Sequence, residues 1–264
     1  MGHVRLGRIP KTRGWRDVIR LLSDPHSTAS HVAAATAVAA EDYLTRNRTD
    51  AALVFSYWLL TQITFKARSD DFVAELREIG LDVGDARGAL DFLARVARFA
   101  HAQIRSRGET FPLFEFAQLS LREVLTETIG QQCQSLFGTS LEDIRFACRR
   151  YSAPERFAAL ARLYFAKFLN RTLSFFISKE SLNSVGSGQK FQDLSELSRF
   201  NAAVEGYCYQ SAKIVEQFAG GWYSERNWQG GISETDAKAF TAVAIGKLAG
   251  EIARERETEE PGKR

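Results

Sequence analysis

Apolar side chains recur at steps of three and four residues through most of this 264-residue chain, and nowhere do they alternate over a useful length. That period fits the turn of an α-helix and not the two-residue repeat of a strand. The clearest stretch is 85–107, where Ala86, Leu90, Leu93, Ala97, Ala100 and Ile104 form one stripe. The expected fold is therefore all-α: an irregular multi-helix bundle of about ten helices without significant β-sheet.

Punctuation between the periodic segments supports the same reading. Asp50 stands where an N-cap is needed for the apolar run 51–65. That run is too short to span a bilayer and contains Ser, Thr and Gln, so a buried helix is expected. Ser69 is placed to start a helix that ends at Gly80 as a C′ glycine. Ser152 and Glu155 have capping-box spacing with Pro154 between them. The helix they open carries Phe157, Leu160, Tyr164, Phe168 and Phe175 on one side, with Phe165, Leu169 and Phe176 beside them. Such width predicts a central helix contacted from several directions. Residues 1–13 read as a basic arm, 14–258 as a helical domain with a subdivision near Tyr151 left open, and 259–264 as a charged tail.

Composition narrows the classes of function. Three cysteines (Cys133, Cys148 and Cys208) at wide spacing, with no CxxC, give neither a disulfide framework nor a zinc motif. With no apolar stretch near the start to serve as a secretory signal, a cytoplasmic location without membrane attachment is expected. No HExxH, GxSxG or P-loop signature occurs. The segment 184–193 contains Gly186, Gly188 and Lys190, but Phe191 follows the lysine and no strand precedes it. It reads as a connection, with Lys190 available to an acidic partner. No catalytic residue, cofactor or metal ligand is assigned.

Residues 220–231 carry the strongest binding composition: Trp222, Tyr223, Arg226, Asn227 and Trp228, bracketed by Gly220-Gly221 and Gly230-Gly231. The glycine pairs predict a compact loop. Trp, Tyr and Arg are enriched at interface hot spots, yet large aromatics in loops commonly fold back to plug a core. Both roles are open for this segment.

Two groups of cations suit an acidic or nucleic-acid partner: Arg5, Arg8, Lys11 and Arg13 in the arm, and Arg95, Arg98 and Arg105 along one helix. The formal net charge of +3 permits such contact without arguing for it. Arg95-VARFA-His101 and Arg20-LLSDP-His26 also resemble the loose Arg…His spacing of helical ribonucleases of the higher-eukaryote-and-prokaryote nucleotide-binding class. That resemblance implies histidine as acid and base, with arginine on phosphate charge. The leading expectation is a non-enzymatic helical subunit that contacts another protein in a larger bacterial-type complex, of which a multi-gene antiviral system is one setting. Nucleic-acid association and an Arg/His ribonuclease are the alternatives.

Overall fold

The computed structural model describes residues 11–108, 112–133 and 139–259, with side chains to residue 252. Among them are eleven α-helices: α1 (Arg13–Ser23), α2 (Ala29–Arg46), α3 (Ala51–Lys66), α4 (Phe72–Glu78), α5 (Ala89–Arg105), α6 (Phe114–Leu125), α7 (Leu141–Arg149), α8 (Pro154–Asn183), α9 (Leu194–Ser211), α10 (Lys213–Trp228) and α11 (Glu234–Glu259). A π-turn, Thr126–Gly130, follows α6, and a 3₁₀ turn, Arg150–Ser152, follows α7. The described residues contain no strand. One isolated bridge pairs Val185 with Phe191 in the connection before α9. The protein is all-α.

Two compact units account for the chain. The first comprises Met1–Arg46, Ala166–Ile214 and Ile245–Arg264; the second comprises Asn47–Phe165 and Val215–Ala244. The division falls inside α8, inside α11 and just inside the start of α10, so each of these helices contributes one part to each unit.

In the first unit, α1 is amphipathic. Trp15, Val18 and Leu22 are buried while Arg13, Arg16 and Arg20 are exposed. Its buried side packs on α2, with Gly14 against Ala39, and Trp15 meets Phe176 at 4.7 Å between ring centroids. The ammonium of buried Lys167 is neutralised by Glu205 at 2.7 Å, the form in which a buried charge is tolerated.

In the second unit, α3 is buried nearly all round, as its unbroken apolar run requires. Asp50 caps it, accepting from Ala52 N and Leu53 N with one oxygen and from Leu113 N with the other. Ser140 with Asp143 and Ser233 with Asp236 form reciprocal capping boxes at α7 and α11.

Three local expectations shift. Asp71, not Ser69, caps α4, and the Ser69 hydroxyl instead accepts from Asp71 N. The Ser152 hydroxyl donates back to Arg149 O, so α8 begins after an extended Ala153 whose carbonyl accepts from Phe157 N. Leu90 is 80% exposed, and the buried stripe of α5 is Phe92, Leu93, Val96, Ala100 and Ile104. The helical period is right, but its phase is turned toward Phe92 and Val96, which bring more apolar area than Leu90 and Ala97.

Candidate functional site

The segment 220–231 is not a loop. Residues through Trp228 continue α10, and only Gln229, Gly230 and Gly231 form the connection to α11. The two glycine pairs therefore do different things. Gly220 and Gly221 are helical. A Cβ on Gly220 would lie 2.7 Å from Pro154 O, so this glycine lets α10 approach the start of α8. At Gly221 the same Cβ would meet nothing within 4 Å. Gly230 and Gly231 have φ of +114° and +107°, and there the backbone itself calls for glycine.

Helical spacing divides the five candidate residues between interior and surface. Tyr223 is 1% exposed; it stacks on Phe157 at 3.8 Å, and its hydroxyl bonds Thr64 Oγ1 at 3.1 Å. Burial pushes its phenol up to about 12, against smaller opposing contributions from Thr64, Arg68 and Asn227. It belongs to the core and has no surface for a partner. Trp222 is half-buried, 4.4 Å from Phe240 and 5.9 Å from Tyr57. Asn227 Nδ2 donates to Tyr223 O at 2.8 Å, and Arg226 reaches Gln229 Oε1 and lies 3.7 Å from Asp236. Trp228 is 90% exposed. It shares a face of α10 with Gly221, Ser224 and Glu225, all exposed.

The connection after α10 and the start of α11 are pinned from beneath. Trp58 Nε1 and Gln62 Nε2 both donate to Ile232 O, at 3.0 and 2.9 Å. Arg107 donates to both oxygens of Glu234 at 2.9 Å while lying over the Phe55 ring. The Ser233 hydroxyl and amide, helped by Arg226, hold Asp236 below the usual carboxylate range. Trp228 is thus an exposed indole at a helix end whose following connection is held in place. Sequence reasoning missed Trp58, Gln62 and Arg107 because their partners lie more than 100 positions away.

The basic candidates separate likewise. Lys190 does not face solvent for an acidic partner. Its ammonium donates to Leu21 O, Asp24 O and Ser27 O at 3.1, 2.9 and 2.9 Å, and to Ser27 Oγ. Burial lowers its pKa, partly offset by Asp24. Arg95 is held by Asp85 at 2.6 Å and Asp91 at 3.3 Å. Arg98 lies 3.8 Å from Asp91 and stays largely exposed, as does Arg105. Arg95 and His101, six residues apart, project roughly 120° from each other around α5. His101 instead meets Gln118 Oε1 and the edge of Phe114, and the structure does not join it with Arg95 in one site. Lys11 and Arg13 are exposed; Arg5 and Arg8 lie outside the described residues.

Among the described residues, no three His, Cys, Asp or Glu side chains are grouped to hold a metal ion. No helix there is long and apolar enough to cross a membrane. No protein-family model, curated protein or solved structure matches this chain, so its chemistry is read from its own geometry.

Proposed function

We propose that this protein is a helical interaction subunit that engages another protein through the C-terminal end of α10. The observation that carries this reading is Trp228: a tryptophan 90% exposed, on a helix whose following turn is fixed by Trp58 and Gln62. A flexible surface indole would lose entropy on docking, whereas one on a rigid platform loses less. Covering about 200 Å² of indole at ~25 cal/mol per Å² corresponds to roughly 5 kcal/mol of gross apolar gain. The adjoining surface at Gly221 and Ser224 is small, leaving room for a partner backbone beside the ring. The site is narrower than composition implies: Trp228 carries the contact, Glu225 and Arg226 supply polar margin, and Tyr223 and most of Trp222 support it from inside.

The test is affinity capture from the native host with wild type and Trp228→Ala at equal concentration, one sample of each treated with nuclease. A protein bound stoichiometrically by wild type, nuclease-resistant and weakened roughly 30-fold or more in the variant, supports the reading. Equal retention of every bound protein by the two forms removes it.

A further inference from the structure

We infer that the outward face of α1 is a docking surface for the phosphodiester backbone of a nucleic acid. Arg13, Arg16 and Arg20 stand at helix positions i, i+3 and i+7, so their side chains leave within a narrow arc. Trp15, Val18 and Leu22 leave on the opposite side and are buried. Three guanidiniums are therefore spread along about 10 Å of one helix edge, a length over which duplex DNA presents roughly six phosphates. Exposed Lys11 continues the cationic surface just before the helix.

Little nearby negative charge competes. On α1 itself the acid is Asp17, 3.7 Å from Arg20, with both side chains well exposed, and at its C-cap stands half-buried Asp24, whose carboxylate accepts from His26 N at 2.9 Å. On α2, the element packed against α1, Asp42 pairs with Arg46 at 3.2 Å and Glu41 is exposed. An exposed pair such as Asp17–Arg20 is worth little and yields readily to phosphate.

The remainder of α1 is arranged as a platform. Its N-terminal half packs closely on α2 through Gly14 and Ala39, and Trp15 is held by Phe176. Its C-terminal end is tied down by Lys190, whose ammonium takes up the Leu21, Asp24 and Ser27 carbonyls. A cation there suits the negative end of the helix dipole. The arginines consequently project from a helix fixed at both ends, and binding need not order it.

The same packing favours nucleic acid over a membrane surface. A membrane-seeking basic helix inserts its apolar face between lipids, and here that face is occupied by α2 and Phe176. All three helix cations are arginines, whose forked donors match phosphate oxygens in pairs. This surface lies in the first unit and does not depend on Trp228.

The experiment is fluorescence anisotropy of the full chain with labelled 30-residue generic single-stranded RNA and duplex DNA, from about 50 to 200 mM salt. Vesicles containing phosphatidylserine form a separate arm. Wild type is compared with Arg13→Gln/Arg16→Gln/Arg20→Gln, whose substitutions fall on exposed side chains. Wild type should bind with affinity falling steeply with salt, at a slope near −0.9 per phosphate neutralised on duplex. The triple variant should flatten that slope by about 2 to 3 and bind on the order of tenfold to a hundredfold more weakly at low salt. The inference is overturned by wild type that binds neither nucleic acid at low salt. It is overturned equally by a triple variant with unchanged affinity and slope, or by binding confined to the vesicles. An unchanged helical circular dichroism spectrum and melting temperature in the variant ties its loss to the surface.

Discussion

Replacing each of two adjacent glycines by alanine should move stability in opposite directions. Gly220 and Gly221 both lie inside α10, where alanine is intrinsically better than glycine by about 1 kcal/mol. Gly221 faces open space, so Gly221→Ala should collect most of that gain. At Gly220 the added Cβ would fall 2.7 Å from Pro154 O and 3.1 Å from its carbonyl carbon, roughly 0.7 Å inside ordinary contact. The obstructing atoms are backbone at the start of α8, which cannot rotate away as a side chain would. Relief requires α10 and the first turn of α8 to separate, disturbing the Phe157–Tyr223 stack and the Arg162–Glu216 pair at 2.8 Å. Overpacking of this kind costs about 1–3 kcal/mol. Set against the propensity gain, Gly220→Ala should come out destabilised by up to about 2 kcal/mol. Melting temperatures at matched pH and salt should then rise by roughly 2–4 °C for Gly221→Ala and fall, by up to roughly 8 °C, for Gly220→Ala. Urea midpoints serve as a second measure. Equal shifts of the same sign in the two variants would refute the close approach, and destabilisation by both would indicate that the segment is not helical.

Other outcomes follow from the same geometry. Trp222→Ala should lower stability by about 2–3 kcal/mol because it removes contacts with Phe240 and Tyr57, whereas Trp228→Ala should stay within about 0.5 kcal/mol of wild type; comparable melting temperatures for the two would contradict this. Tyr223→Phe loses the bond to Thr64 and should cost about 1 kcal/mol, while Tyr57→Phe removes a buried hydroxyl that has no hydrogen-bond partner among the described residues and should be neutral or mildly stabilising; urea titration of the pair distinguishes them. Asp50 should titrate above its ordinary value of 3.8, since burial outweighs the donations from Leu113, Leu53 and Ala52. A carboxyl with a raised folded pKa takes up its proton more readily folded than unfolded, so its contribution to stability grows as pH falls through the folded pKa and is complete below the unfolded one. Carboxyl NMR placing Asp50 at or below 3.8 would contradict that assignment.

Much of the architecture was legible in the residues themselves. The recurrence of apolar groups at helical steps required an all-α fold, and the apolar run after Asp50 required a buried α3 with that carboxylate at its cap. These signals act within one or two turns of chain, where spacing alone fixes which atoms can meet.

The phase of a stripe and the fate of a glycine lie beyond that range. Only packing turns α5 toward Phe92 and Val96, and only the nearness of Pro154 makes Gly220 part of a helix rather than the mouth of a loop. The same holds for Lys190 and Arg95, whose charges looked available until carbonyls and carboxylates brought in by folding took them up. Conversely, Arg16 gained interest, and Arg20 a setting other than its spacing to His26, only when α1 buried Trp15 and Leu22 and left the arginines outside. Local periodicity specifies that a helix forms; which of its sides meets protein and which meets solvent depends on neighbours distant in sequence, and that choice left Trp228 and the α1 arginines exposed.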